Sequence, residues 1–490
     1  MPIDPRTPVL VGVGAVTQHV DDPQEASEPL ALMAQALERA AEDAGSRALL
    51  ASVDSIWAPR GFWAYSDPGR LLAERFGATS ARTVVAEVGI LQTTMLGRAA
   101  RALAEGDGEI AMIVGGESRD RDARLRRQGI EAPVTVQTGV SPGQTLSPDA
   151  EIMGRFEIDL GLITPTIQYA MIDNALRYHE GQSIADHQAE LAALWGDFNR
   201  VAVENPDAWN RAPMAGKEIV TPSESNRLLS YPYTKSLVSQ WNVNQAGGLI
   251  LCTLEKAHRL GLDERRFIYP LAVVDSEHMV TLSERAEIHR SPGFALAGAR
   301  ALEHVGRGID EIDFLELYSC FPAAVRVQQR ELSIDLSRRV TQTGGMTFGG
   351  GPLNNFVIQS WVKMAERLRG DPGSHGLVTA VSGLITKQGV SLFGPEPATP
   401  FVYDRVTEEA KSAWKTIAID REAEGRAIVS AYTVSKARDA ANGVAMVCDL
   451  DEATRTLRVV QDPDLAEEAM REELCGREVE LGPEGAVRFC

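Results

Sequence analysis

Thr343-Gly344-Gly345-Met346-Thr347-Phe348-Gly349-Gly350-Gly351-Pro352-Leu353-Asn354-Asn355-Phe356 reads as a glycine-dense loop that runs into a helix. Five glycines fall between 344 and 351, and each costs roughly 0.5–1 kcal/mol against alanine inside a helix or strand. Regular structure is therefore not their purpose. A backbone stripped of side chains admits close approach and positive φ, so either a ligand or another segment of the same chain comes against it.

The surroundings of this loop recur. Downstream, 358–368 has helical periodicity, 370–373 is a stop and 376–381 is an apolar strand. The same order stands earlier as a helix over 93–104, the stop Gly106-Asp107-Gly108 and a strand over 110–116. A second pair matches as well: the helix 29–44, Gly45 and strand 53–57 correspond to the helix 294–305, Gly306 and strand 312–317. Such duplication predicts two α/β units packed face to face, with Gly89 and the loop 349–352 at equivalent helix N-termini around one centre.

Between and after the two units the texture changes. From 121 to 220 an arginine-rich start is followed by helices around 167–180 and 186–203, which predicts an inserted loop region. Tyr231-Pro232-Tyr233-Thr234-Lys235 then leads back to a sheet strand over 246–252. Past Pro397 the runs 428–434, 443–449 and 456–460, an acidic helix near 465–474 and short strands at Val479 and Val487 predict a small antiparallel barrel. The expected organisation is 1–120 plus 221–265 as the first α/β half, 121–220 as the insertion, 266–398 as the second half and 399–490 as the barrel.

With 490 residues, 44% hydrophobic and 24% charged, the chain supports more than one core. Its formal charge of -19 disfavours a surface that tracks nucleic-acid phosphates or an anionic membrane. No apolar run approaches the ~20 residues of a membrane helix. The opening Met1-Pro2-Ile3-Asp4-Pro5 lacks an export signal. Cys252, Cys320, Cys448, Cys475 and Cys490 have neither CxxC spacing nor a histidine at metal-ligand spacing, so reduced thiols, a cytoplasmic location and no metal site are expected. Val9-Leu10-Val11-Gly12-Val13-Gly14 has two glycines of a dinucleotide fingerprint but lacks the third, and no helix starts at once; a buried strand is the better reading.

Several residues bear chemistry. Cys320 follows an apolar strand and reads as a small core hydrophobe rather than a nucleophile. Tyr318 is either a hydrogen-bond donor to a carbonyl or a buried phenol bonded to backbone. Ser382 and Lys387 lie beyond the last strand of the second half, where polar side chains face the centre; Lys387 reads more simply as a solvated loop lysine. Asn354 and Asn355 suit N-capping or a direct ligand contact, alongside Gly89, Gly349, Gly350 and Gly351. Of the histidines, His375 reads as exposed, and His179 and His187 bracket an insertion helix with no partner carboxylate in view.

Gly115-Gly116-Glu117-Ser118, Leu317-Tyr318-Ser319-Cys320-Phe321 and Gly344-Gly345 with Gly350-Gly351-Pro352-Leu353, in this order on a duplicated α/β unit, resemble the thiolase superfamily. The nearest resemblance is to its sterol-carrier-protein thiolase-like branch, over roughly the first 400 residues, and the tail is similar to that branch's extra C-terminal domain. The resemblance implies duplicated α/β/α layers, acetyl-CoA acetyltransferase ancestry and a coenzyme A thioester as ligand, with no covalently bound cofactor. In that family a cysteine at a helix N-terminus takes the acyl group, helped by a histidine, an oxyanion hole and a second cysteine. Carried onto this chain, those positions fall on Gly89, Gly351, Tyr318 and Val381. The resemblance thus implies a thioester-binding protein without thiolase turnover. The alternative is an enzyme of lipid or sterol metabolism, a retro-aldolase or other acyltransferase, working through Tyr318 and Ser382. A monomer or homodimer is expected, with a partner protein at the C-terminal domain as a further option.

Overall fold

The computed structural model describes residues 3–398, 400–435 and 443–490. Met1 and Pro2 of the opening stretch, and the expected boundary at 399, lie outside them.

Two mixed sheets form the body. In the first, the strands run in the order Pro8–Thr17, Asn244–Thr253, Ile110–Ser118, Ser55–Pro59, Arg82–Ala86 and Gln144–Leu146. In the second, the order is Phe314–Glu316, Gly376–Ser382, Lys387–Gly394, Tyr269–Ser276 and Val402–Arg405. Both combine parallel crossover strands with an antiparallel pair, as duplication requires.

The Gln92–Glu105 and Phe356–Gly370 helices lie between the sheets. Their core unites Met95, Leu96 and Trp361 with Ile113 and Leu249 of one sheet and Val273 and Val378 of the other. A helix sandwiched in this way is apolar around most of its circumference, which is why Thr93, Met95, Leu96, Ala99, Ala100 and Leu103 are all buried. Outside the sheets, Pro29–Asp43 packs on the first, and Pro292–Val305 on the second. The body is α/β/α/β/α, as the duplicated pattern predicts.

The glycines of the first strand serve this layering. The strand runs straight through Gly12 and Gly14 without a turn into a helix, which removes the dinucleotide alternative. A Cβ at Gly12 would overlap the Ala40 carbonyl, and one at Gly14 the Ala36 carbonyl, both in the covering helix. The glycines let that helix sit close to the sheet.

Three segments sit elsewhere than expected. The insertion is not separate from the sheet: its Gln144–Leu146 strand pairs in parallel with Arg82–Ala86 and caps that edge. Val402–Arg405, expected in the appended domain, pairs in parallel with Tyr269–Ser276 and extends the second sheet. Leu228–Ser230, expected in the first half, pairs with Tyr233–Thr234 and reaches the C-terminal sheet at Ser230 and Ser435.

That third sheet is mostly antiparallel and runs Ala418–Ile419, Thr454–Val460, Gly443–Asp449, Gly425–Ser435, Glu478–Leu481 and Val487–Phe489. Among the described residues no pair joins its first strand to its last. It holds its own core of Val429, Tyr432, Met446, Cys448, Ala466 and Leu474. The domain is bound to the insertion by buried polar contacts: Asn174 Nδ2 donates to the Tyr432 carbonyl at 2.9 Å, and Arg177 donates to the Tyr432 hydroxyl at 3.1 Å and to Glu473 at 3.0 Å.

Glu316, at the end of its strand and 1% exposed, anchors the start of the glycine loop. Its carboxylate accepts from the Gln342 amide, from the Thr343 amide at 3.0 Å and from the Thr343 hydroxyl at 2.8 Å. No basic side chain forms a salt bridge with it among the described residues, and burial pushes its pKa up to about 7.

Two measurements check this account. Gly12→Ala is expected to destabilise the protein by about 1–3 kcal/mol through overpacking against Ala40; a denaturant midpoint equal to wild type would contradict the role given to that glycine. For Glu316, the folded form keeps a proton that the unfolded chain has released above pH ~4.5. Its stabilising contribution is thus complete below that pH and is lost as pH rises through about 7. Stability curves from pH 4.5 to 8 should therefore fall less steeply in Glu316→Gln than in wild type, by about 3 kcal/mol over the range. Parallel curves would show that Glu316 titrates normally.

Candidate functional site

Gly89 stands three residues before the Gln92–Glu105 helix with φ +105°, a conformation that favours glycine. Gln92, the first helical residue, turns toward the other half: its Nε2 donates to the Asn354 carbonyl at 2.8 Å and to Asn354 Oδ1 at 2.9 Å. Asn354 Nδ2 donates in turn to the Arg60 carbonyl at 3.2 Å. From the second sheet, Lys387 Nζ donates to the Gly89 carbonyl at 3.1 Å. The two helix starts meet at one centre, as the internal repeat predicts, and polar side chains join them.

Lys387 is not a solvated loop lysine. It opens the Lys387–Gly394 strand, pairs with Ser382 and is 2% exposed. Burial lowers its pKa from the ordinary lysine value. Local sequence misled because the cover over this lysine comes from the opposite half, at the Gly89 carbonyl. The tip passes through Gly383, Leu384 and Ile385, all at positive φ, and the buried Arg285 Nη2 holds the Leu384 carbonyl at 2.8 Å.

Asn355 lies deeper, 2% exposed, and neither atom of its amide has a partner among the described residues. Gln92 Oε1 and Gln245 Oε1 are likewise buried and unpaired. Three amides with unmet hydrogen-bonding capacity around one loop are unusual, because buried polar atoms are nearly always satisfied.

The glycine loop is closely covered. A Cβ at Gly344 would overlap Ala202, and one at Gly345 would overlap Phe198, both on the insertion helix Ile184–Glu204. At Gly350 it would meet Gln245, whose Nε2 donates to the Gly349 carbonyl at 2.8 Å. At Gly351 it would meet the Ser239 hydroxyl. At Gly349 it would crowd the loop's own backbone, 2.7 Å from the Gly345 carbonyl oxygen. Of the two explanations for the glycine density, close approach by the chain itself accounts for all five. At Gly89 the Cβ would lie 3.0 Å from Pro148, again from the insertion.

Tyr318 is half-buried beside the loop's exit, with its ring edge-on to Phe356 at 6.1 Å between centroids. Its amide donates to Thr379 Oγ1 at 2.8 Å, while burial raises the phenol's pKa above its ordinary value. Val381 is buried, and Ser382 is half-buried at the hairpin shoulder. Cys320 is 8% exposed, and burial pushes its thiol up to about 12, the opposite of activation.

Glu117, not singled out by sequence, is 2% exposed. It accepts from the Phe62 amide at 2.8 Å, one residue pair along from the Arg60 carbonyl that Asn354 holds. Burial pushes its pKa up to about 7, against the opposing charge of Arg119. The one signal that marked it was its place in Gly115-Gly116-Glu117-Ser118, an acid at the end of an otherwise apolar strand. Among the described residues no cluster of three histidine, cysteine or acidic side chains is placed to hold a metal ion.

The fold is similar to that of a monomeric SCP2-thiolase-like protein type 1 from Mycobacterium smegmatis, at 27% sequence identity and a TM-score of 0.84 over 100% of both chains. It is also similar to the Ltp2–ChsH2(DUF35) aldolase, at 18% identity and a TM-score of 0.60, over 80% of this chain and 99% of that one. The dimeric peroxisomal thiolase of Saccharomyces cerevisiae matches at 17% identity and a TM-score of 0.56, over 81% of this chain and 99% of its own. No family model and no curated protein matches the chain. The chain thus has the thiolase fold and is similar along its entire length to the SCP2-thiolase-like branch of that superfamily.

Proposed function

We propose that the chain binds an acyl-CoA or a related thioester between Gly89 and the glycine loop, in the cytoplasm, and does not carry out the thiolase reaction. The observation that carries this reading is the occupancy of the two positions that correspond to the family's nucleophile and histidine. Pro148 crowds the side-chain space at Gly89, and the Ser239 hydroxyl fills that at Gly351. No thiol compensates: Cys252, Cys320, Cys448 and Cys475 are buried, and Cys490 is exposed with its amide hydrogen-bonded to Glu478 in the C-terminal sheet, a pattern that also fits a reducing compartment.

Ligand binding is supported by what surrounds this point. Lys387, Gln92 and Asn354 converge there, and the unpaired Asn355 and Gln92 amides supply a donor and acceptors for a thioester carbonyl or its amide-bearing arm. The capped edge of Arg82–Ala86, together with the monomeric state of the mycobacterial relative, supports a single-chain protein in solution. A partner at the C-terminal domain would bind the faces of that sheet turned away from the insertion.

The alternative reading, Cys-independent chemistry on an acyl-CoA, is favoured by one feature. Lys387 is an amine whose pKa is lowered by burial and whose Nζ meets the Gly89 carbonyl, and such amines act as bases or carbonyl nucleophiles. The aldolase relative, at 18% identity, lends it the fold alone.

Calorimetric titration with acetoacetyl-CoA is expected to show saturable binding, and Lys387→Met to weaken it at least about tenfold. The same mixture with free coenzyme A should release no acetyl-CoA. Thiolysis at an ordinary enzyme rate, on the order of 1–1000 per second, would overturn the main reading. Full activity of Tyr318→Phe on any substrate found would remove Tyr318 from the alternative.

A further inference from the structure

A cavity of about 220 Å³ lies away from this centre, where the Ile184–Glu204 helix, the 220–232 segment and Met470 of the C-terminal domain come together. Ile184, Leu191, Val220, Leu228 and Met470 make its walls apolar, and His187, Gln188 and Tyr231 also line it. His187 is 2% exposed. Its Nε2 lies 3.2 Å from Asp173 Oδ1.

The protonation of this imidazole follows from its neighbours. Asp173 is fully buried and accepts from Arg326 Nη1 and from the Tyr233 hydroxyl at 2.8 Å. Despite burial, the charge of Arg326 and these bonds hold its carboxyl below the usual carboxylate range. Arg326 also pairs with Glu180 and Glu190, so its charge is shared among three acids. An ionised Asp173 facing Nε2 requires the proton on that nitrogen. Burial, with Arg326 and Arg177 nearby, keeps the ring neutral by lowering its pKa. Nδ1, which has no partner among the described residues, is then the unprotonated, accepting nitrogen.

We propose that this cavity is a second binding site, for a small uncharged apolar molecule carrying one hydroxyl, an alcohol or a phenol, whose O–H donates to His187 Nδ1. A carboxylate or phosphate is disfavoured, because an anion there would meet a lone pair inside an apolar wall with no cation in the lining. A plain hydrocarbon would leave the acceptor unmet. The site also has a link to the body: the Tyr233 hydroxyl that donates to Asp173 accepts from the Ala323 amide at 3.1 Å, in the first turn after Tyr318-Ser319-Cys320-Phe321.

The test uses the full chain with phenol and cyclohexanol, and with toluene and methylcyclohexane as matched partners without a hydroxyl, observed by ligand NMR. The hydroxyl compounds are expected to bind at least about tenfold tighter than their partners. Val220→Phe and Met470→Trp, which fill the cavity from two different walls, are expected to abolish binding. His187→Phe is expected to remove the preference for a hydroxyl while retaining toluene binding. Should that variant fail to fold, the matched pairs and the two filling variants decide the matter. Equal affinity for phenol and toluene, binding unaffected by filling, or no binding of either alcohol at millimolar concentration would each overturn the proposal.

Discussion

The interlock between the glycine loop and the insertion helix is the constraint on which the rest of this structure depends. Phe198 and Ala202 lie where side chains at Gly345 and Gly344 would be, and the loop's other end is shut by Gln245 and Ser239. The loop is thereby fixed at both ends, with Glu316 gripping its entrance. Its exit delivers Asn354 to Gln92 and Phe356 to Tyr318. A side chain at Gly344 or Gly345 would press on the insertion helix, and one at Gly350 or Gly351 on Gln245 or Ser239. The glycines of this loop act as structural joints between the strands and helices that meet there.

Burial without compensation sets the electrostatics. Glu117 and Glu316 each hold a proton near neutral pH because neither is given a strong cation, whereas Asp173, given Arg326, stays ionised at equal depth. Lys387 is the mirror case, an ammonium under cover that donates to the Gly89 carbonyl and is only partly offset by the charge of Asp149. Groups of this kind cost stability, and their concentration around the meeting point of the two halves agrees with a ligand that would complete their bonds.

Much of the architecture was readable beforehand, because helices such as Gln92–Glu105 announce themselves by periodicity and by a stop such as Gly106. The pairing of two such helices across a shared centre followed from repetition alone. What could not be read was the identity of distant neighbours. Nothing near Gly344 names Ala202 as its contact, and nothing near Lys387 announces the Gly89 carbonyl. Val402–Arg405 looked like part of the tail because no local signal tells a short strand which sheet edge is open. Glu117 was visible only as an acid in a motif, since a carboxyl's pKa depends on who faces it. Cys320, by contrast, was read correctly as a core thiol, because an apolar strand and a flanking Phe321 already define its surroundings.

The contact between Ser230 and Ser435 bears on how the protein is made. During synthesis the insertion leaves the ribosome roughly two hundred residues before the strand that covers it, and contacts so distant in sequence form slowly. Tyr169 and Tyr233 find Phe321 in the second half, but until the last domain is made Asn174 and Arg177 have no Tyr432. The nascent chain therefore carries the insertion's contacts to the C-terminal domain unmet until that domain is made. A ribosome that stalls after the second sheet yields a body with its repeat intact and its insertion open, the form most exposed to chaperones and proteases.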